Sequence, residues 1–286
     1  MTTLCGLFIV NFSLQNGLKS AKFFFTGFIN DMLTINQYKQ NNLNFTAYTH
    51  DITNKAGKVV NRGTTTLLRH DLDFDKLVLF LAEKYQDVKK VNVINHACSN
   101  GAETYSFIAI LLHLFGKTKI PKKFTPVIAK DKVQEHIDKA TEGKFEIGSV
   151  ESAYINYFFP QRAYRNYFKQ NRKNLEKSIL TIKERIKKMA IFERGNILKD
   201  VQKIDFHNTV LFARNFWPYL KPKDRVRLAQ ILSERMDSTS TLIIGNFDKN
   251  KANVNKLLEE NGFVESKDIE NVFEKGILRT QIDAVL

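Results

Sequence analysis

The sequence predicts an α/β protein built on a doubly wound, mostly parallel sheet with an antiparallel C-terminal strand and a small N-terminal region. Three observations carry that prediction. From about residue 71 onward, apolar runs of strand length alternate with amphipathic helical stretches. Polar or small residues gather where those runs end: the Ala97–Gly101 turn, Asp131, Asn196, and Arg214 with Asn215. In open parallel sheets that edge is where ligands bind. The chain has 286 residues with 43% hydrophobic content, enough for a sizeable core, and no repeat, low-complexity tract or linker divides the alternating unit.

Residues 1 to about 60 show no clean period, with aromatic clusters such as Phe23–Phe25 set among Asn/Gln stretches. The apolar run Leu4–Phe12 lacks the flanks of a signal peptide and is too short to span a bilayer, so it reads as a strand or a loosely packed terminus. Asn54–Gly57 is a turn signal between β-prone runs, which predicts a hairpin near Thr46–Val60. Phe74, Leu77, Leu79, Leu81 and Ala82 predict a helix ending near Tyr85–Asp87. Val91, Val93 and Ile94 read as a buried strand, Ala97 to Gly101 as a turn of small side chains, and the residues from Glu103 to Leu112 as a helix. A second strand is expected over Phe124–Ala129, ending at Asp131, and then a helix that stops at Gly143. Further strands are expected at Met189–Glu193, Thr209–Ala213 and Thr241–Gly245. A helix opened by Pro222 and Asp224 precedes the last of these. A helix over Asn253–Asn261 follows, and Phe263 with Val272–Ile282 supplies the last one or two strands.

Composition narrows the function class. Two cysteines, Cys5 and Cys98, with no CxxC or Cys/His spacing, offer neither a disulfide framework nor a zinc site, so no metal is expected and a reducing, cytoplasmic setting fits. The net charge is +14, which raises nucleic acid or an anionic surface as a partner. The richest basic stretch, Arg162–Lys188, reads as including one long solvated helix, an exposed face that needs no partner.

The turn at Ala97–Gly101 lets a ligand approach the backbone, but the glycine-rich dinucleotide fingerprint is absent. Glu103 at the following helix start suits a positively charged ligand group better than a phosphate. Asp131 stands where a carboxylate accepts from ribose hydroxyls, although helix N-capping is an equally common use of such an acid.

Five ordered segments resemble the S-adenosylmethionine-dependent methyltransferases of the chemoreceptor-glutamate (CheR) type. The family loop Gly-Cys-Ser-Thr-Gly-Glu-Glu-Pro-Tyr-Ser is similar to the residues from Ala97 to Ser106. Its Asn-x-Thr-x-Phe-Phe-Arg segment resembles Gly63 to Arg69, its second-strand acid Asp131, its Asn-Leu pair Asn196-Ile197, and its Arg-Asn-x-x-x-Tyr signature Arg214 to Tyr219. The resemblance implies a class I methyltransferase-like fold over residues 63–286, with residues 1–62 as a separate N-terminal region. It implies S-adenosylmethionine as cofactor, its amino-acid end met by Thr65 and Arg69, its ammonium by Glu103, its ribose by Asp131 and its adenine by Asn196 and Ile197. Ala97, Ser99, Gly101 and Asn215 complete the cofactor set. Arg214 and Tyr219 are implied on the acceptor side, with pairing to a structural acid for Arg214 and a half-buried aromatic role for Tyr219 as the plain alternatives.

The implied activity is methyl transfer to a protein carboxylate, glutamate O-methylation or a similar oxygen acceptor, on a receptor-like or signalling protein. The alternative is a catalytically silent methyltransferase-like scaffold that binds nucleic acid or an acidic partner through its basic segment. Several positions depart from the family pattern: Ala97 for the first loop glycine, Ala102 for the first glutamate, Gly63 for the asparagine, Leu67 and Leu68 for the phenylalanines, and Thr209 for an aspartate. These bear on cofactor affinity more than on the fold. Neither residues 1–60 nor Phe145–Lys188 resemble the family's helical N-terminal domain and its small β-subdomain that docks a receptor tail.

Overall fold

The computed structural model describes residues 50–53, 59–63, 66–69, 71–116, 118–148, 152, 155–156, 158–172 and 177–276. These lie in one compact unit, Thr46–Leu286. The expected strand over Leu4–Phe12 and the turn at Asn54–Gly57 lie outside the described residues. The hairpin itself is there: β1 (His50–Thr53) pairs antiparallel with β2 (Val59–Gly63).

The chain then builds the unit in the expected order. Helix α1 (Phe74–Lys84) starts where the Asp73 side chain accepts from the Lys76 amide at 3.1 Å, and it buries Phe74, Leu77, Val78 and Leu81. Strand β3 (Asn92–His96) leads through the small-residue turn into α2 (Ala102–Phe115), which is buried along most of its length and packs against α1. A short helix α3 (Ile120–Phe124) precedes β4 (Val127–Asp131). Phe124 therefore ends a helix rather than opening the second strand, because Pro121 favours a helical first turn and Pro126 delays the strand by its missing N–H. Helix α4 (Gln134–Glu142) stops at Gly143 in the left-handed region. The sheet resumes with β8 (Ala190–Arg194), the single-turn helix following it (Ile197–Asp200), and β9 (Thr209–Ala213), buried at every residue. The helix Pro222–Arg235 leads to β10 (Thr241–Ile243), and the helices Asn246–Ala252 and Val254–Glu260 lead to β11 (Phe263–Glu265) and β12 (Val272–Lys275).

The main sheet has seven strands in the order β11-β12-β10-β9-β3-β4-β8. Strands β10, β9, β3, β4 and β8 pair in parallel, and β12 runs antiparallel to both of its neighbours. The order reverses between β3 and β9, so the carboxyl ends of β3, β4 and β9 open a crevice at that switch point. One face of β9 and β10 packs on Trp217, Leu228, Leu232 and Val254. On the other, Phe212 meets Phe107 of α2 edge to face at 5.4 Å between ring centroids.

The basic stretch Arg162–Lys188 is not one long helix. It folds as a 3-10 turn (Pro160–Asn166), β6 (Phe168–Arg172), β7 (Lys177–Ile182) and a single helical turn, Glu184–Lys187. With β5 (Lys144–Gly148) the two strands form an antiparallel three-stranded sheet in the order β5-β7-β6. Alternation drives this: Phe145, Ile147, Leu180 and Ile182 turn inward while Lys144, Glu146 and Lys169 stay exposed. A small β-subdomain is therefore present where the sequence showed no sign of one.

Gly101 fixes how α2 begins. Its φ is +81°, and a Cβ there would lie 3.0 Å from the Ala140 Cβ and 3.0 Å from the Phe192 ring. Gly101→Ala should therefore destabilise the fold by about 1–3 kcal/mol, from left-handed strain together with overpacking. Thermal denaturation measures this, and an unchanged Tm would contradict the packing role.

Candidate functional site

The crevice holds a cavity walled by the turn after β3, the ends of β4, β8 and β9, and the segment before α1. Of the residues singled out in the sequence, Arg69, Ala97, Ser99, Glu103, Asp131, Asn196, Ile197, Arg214, Asn215 and Tyr219 line it. Gly101 lies buried beneath the turn, and Thr65 lies outside the described residues.

The turn is held by its backbone rather than by small side chains alone. Ala97 and Ser99 have φ of 60° and 50°, a conformation that L-residues keep only when their surroundings over-determine it. Those surroundings come from β4. The Cys98 amide donates to the Lys130 carbonyl at 3.1 Å, and the Ser99 amide donates to Asp131 Oδ2 at 3.0 Å. Asp131 Oδ1 accepts from the Val133 amide at 2.9 Å and lies 3.3 Å from His136 Nδ1. Burial alone would raise this carboxyl, but His136 and the Val133 and Ser99 amides outweigh it and hold Asp131 below the usual carboxylate range. Asp131 is thus ionised at neutral pH, at the end of the second parallel strand, with both oxygens already anchored.

The motif residues after the turn have structural work as well. Tyr105 Oη donates to the Ala140 carbonyl at 2.9 Å, tying α2 to α4. Ser106 Oγ accepts from the Leu68 amide at 2.8 Å, which fixes Leu68 at φ 54° and sets Arg69 at the cavity wall. At the opposite wall Asn196 caps the short helix after β8, its Oδ1 accepting from the Leu198 amide at 3.1 Å, and Ile197 joins the apolar core.

Arg214 is 3% exposed, and each of its guanidinium nitrogens lies against an oxygen of another segment. One guanidinium nitrogen meets Glu103, another lies 3.1 Å from Asp71, and Nε donates to the Ile244 carbonyl at 3.2 Å. Burial would lower its basicity, but Glu103 and Asp71 more than compensate and raise it, so it stays charged. Asp71 also accepts from Arg69, through Nε at 3.2 Å and Nη2 at 3.1 Å. The result is a ladder, Arg69–Asp71–Arg214–Glu103, along one wall, and the buried ion pair is what the structure shows for Arg214.

Tyr219 differs: it is 54% exposed at the mouth, its ring centroid 5.8 Å from that of Phe247, and among the described residues its hydroxyl has no hydrogen-bond partner.

Sequence reading missed His96, His136, Asp71 and Asp248. His96 ends β3 in the cavity wall, 3.5 Å from Asp200, and burial together with Lys130 pushes it down to about 4, so it is neutral. His136 carried a readable signal, lying five residues after Asp131 near the start of α4. Asp71 carried none, because its partner Arg214 is remote in sequence. Among the described residues no group of three or more His, Cys, Asp or Glu could hold a metal ion, and no helix is long and apolar enough to cross a membrane.

Comparison with known proteins identifies the group to which the chain belongs. Residues 63–263 match the family described as CheR methyltransferase, SAM binding domain. The chemotaxis protein methyltransferase of Borreliella burgdorferi is 24% identical over 226 residues, covering 74% of this chain and 76% of that protein. Among solved structures, magnesium protoporphyrin IX methyltransferase from Synechocystis PCC 6803 with bound SAM is 11% identical, with a TM-score of 0.36 over 70% of this chain and 76% of that one. A TehB-like SAM-dependent methyltransferase from Corynebacterium glutamicum is 12% identical, with a TM-score of 0.36 over 71% and 87%. The family match covers most of the chain, which therefore belongs to the CheR methyltransferase family and uses S-adenosylmethionine.

The cavity suits that cofactor: an anchored carboxylate ends the second strand, a charged wall faces it, and the turn exposes its backbone. Asp131→Ala should weaken binding of S-adenosylhomocysteine by about 1–3 kcal/mol, since the change removes a charged acceptor and releases the Ser99 amide. Calorimetric titration reads this directly, and unchanged affinity would exclude Asp131 from the cofactor site.

Proposed function

We propose that this CheR-family methyltransferase methylates a side-chain carboxylate, glutamate in a protein acceptor, and that Tyr219 meets the acceptor. The observation that carries the reading is the make-up of the mouth. Its exposed polar side chains are Lys132, Asn196 and Tyr219, none of them a carboxylate or an imidazole, whereas the carboxylates deeper in the cavity are already committed. Asp131 is anchored to amides, Glu103 to Arg214, and His96 is buried and neutral. A hydroxyl or amine acceptor would need a base to take its proton. A carboxylate is ionised at neutral pH and needs none, so orientation and charge placement suffice.

When bound, S-adenosylmethionine supplies an electrophilic methyl group on a sulfonium. The residues of the chain do the rest by position. Asp131 is proposed at the ribose, Arg69 at the amino-acid carboxylate, Glu103 at the ammonium through the oxygen that Arg214 leaves, and Asn196, Ile197 and Asn215 along the adenosyl part. Arg214 is proposed as the strut that sets Glu103 and, through Asp71, Arg69, rather than as a clamp on the acceptor. Tyr219 donates to the incoming carboxylate and orients one oxygen toward the cofactor. The sheet β5-β7-β6 supports a protein partner, as it stands where the family carries a subdomain that docks a receptor tail. Residues 1–62 are proposed as an N-terminal region preceding the methyltransferase domain, with the hairpin β1–β2 at its end belonging to the same compact unit as that domain.

The chemistry separates acceptor classes. Lysate protein labelled from isotopic S-adenosylmethionine should release its methyl groups as methanol in mild alkali, since carboxyl methyl esters hydrolyse there and N-methyl groups do not. Label that survives alkali would exclude the carboxylate reading. Tyr219→Phe should lower the rate about tenfold, the equivalent of one hydrogen bond of about 1–1.5 kcal/mol, and leave S-adenosylhomocysteine affinity unchanged. Full activity in that variant would move the acceptor contact elsewhere.

A further inference from the structure

Asp248 is a charged residue with 0% exposure that the reaction as described does not use. Its carboxylate receives three backbone amides from two different crossover loops. Oδ2 accepts from Asn215 at 2.6 Å and from Gly245 at 2.8 Å, and Oδ1 accepts from Trp217 at 3.2 Å. The first and third lie on the loop after β9, the second on the loop after β10. The two loops also interlock, since a Cβ on Gly245 would lie 2.5 Å from Asn215 Oδ1. Asn215 is held at φ 62°, and from Trp217 the chain makes the 3-10 turn that ends in Tyr219. Phe247, whose ring packs against that of Tyr219, is the residue immediately before Asp248.

We propose that Asp248 is the positioning residue of the acceptor mouth, clamping the Tyr219 loop to the Phe247 loop so that both aromatic walls are set by one carboxylate. This rests on the reading of Tyr219 as the acceptor contact. The clamp needs the ionised form, because three N–H donors converge on two oxygens and a protonated oxygen would present a donor to them. Burial raises this carboxyl to about 6, opposed by the three amides and by Arg214. Arg214 is the charged group facing it from the β9 side, and on its own helix Lys249 turns away to Glu265 at 3.0 Å. The sign follows. A carboxyl whose folded value lies above its ordinary 3.8 favours the folded state most at low pH, and that contribution is lost as pH rises through about 6. Ionised Asp248 is therefore kept at neutral pH against stability, as expected of a group held for function.

The chain has a single tryptophan, Trp217, buried and bonded to the clamp, so its emission reports the clamp without any acceptor. In the full chain, Trp217 emission should show a transition centred at about pH 6, and Asp248→Asn should abolish it. In that variant the rate of alkali-labile methyl transfer to lysate protein should fall at least about tenfold at saturating S-adenosylmethionine. Should the variant fail to fold, hydrogen exchange of the wild type decides. At pH 7 the amides of Asn215, Trp217 and Gly245, although they lie in or beside loops, should be protected from exchange to the same order as those of β3 and β9, because the Asp248 carboxylate holds all three. Flat wild-type emission, loop amides that exchange at the intrinsic rate, or the same transition in Asp248→Asn would overturn the clamp. Absence of any alkali-labile product from the wild type would instead count against the carboxylate reading, and the emission and exchange measurements would still judge Asp248.

Discussion

The buried guanidinium of Arg214 is the constraint on which the arrangement of the site depends. A charge at 3% exposure costs several kcal/mol in lost hydration unless partners replace the water, so its position dictates where those partners sit. Here they come from three separate parts of the chain: Asp71 before α1, Glu103 in the first turn of α2, and the Ile244 carbonyl after β10. Arg214 itself directly follows β9, the central strand neighbouring β3. One residue thus gathers at a single wall the segments that a doubly wound sheet leaves loosely joined at its carboxyl edge. Asp71 passes the constraint on to Arg69, so the outermost charge of the wall is set from the core outward.

A second constraint fixes the facing wall and explains why the unusual turn survives. Ala97 sits at φ 60° where the family has glycine, a choice that costs of order 1 kcal/mol in steric strain. The strain is offset because the two following amides are bound to β4, Cys98 to the Lys130 carbonyl and Ser99 to Asp131. A backbone tied at successive positions has no lower-energy conformation that keeps both bonds. Departure from the family pattern at Ala97 therefore leaves the path of the turn intact, and Asp131 carries the load that a glycine would have spared.

These two walls were legible in the sequence to different degrees, for physical reasons. The parallel strands and α2 could be read because apolar periodicity is a local signal, and β9 appeared with its observed limits. The ends of those strands marked the cavity, since unpaired polar residues at strand ends have few other uses. Partnership was not legible. Arg214 reads the same whether its guanidinium faces a substrate or Asp71, because that choice depends on contacts between remote segments. The strands β6 and β7 were hidden for another reason. Their inward residues Phe168, Leu180 and Ile182 are separated by Lys, Arg, Asn and Gln at a density that also fits a solvated helix. Asp248 left a faint trace, an acid three residues after Gly245, where a carboxylate in the first turn of a helix reaches back to the amide of the capping residue.

Charge ties the two scales of the molecule together. The chain carries +14 overall, a field that attracts acidic protein surfaces and disfavours a cofactor with a sulfonium and an ammonium. That field is long-ranged and screened within roughly 8 Å at physiological ionic strength, whereas contacts inside a cavity are not. Local acids can therefore reverse it. Asp71, Glu103, Asp131 and Asp248 stand within or behind the cavity walls, where Arg214 absorbs part of the charge of Asp71 and Glu103 and leaves the cavity a local excess of acids. The surface and the cavity then differ in sign, which agrees with the proposed pair of substrates, an acidic acceptor outside and a positively charged donor within.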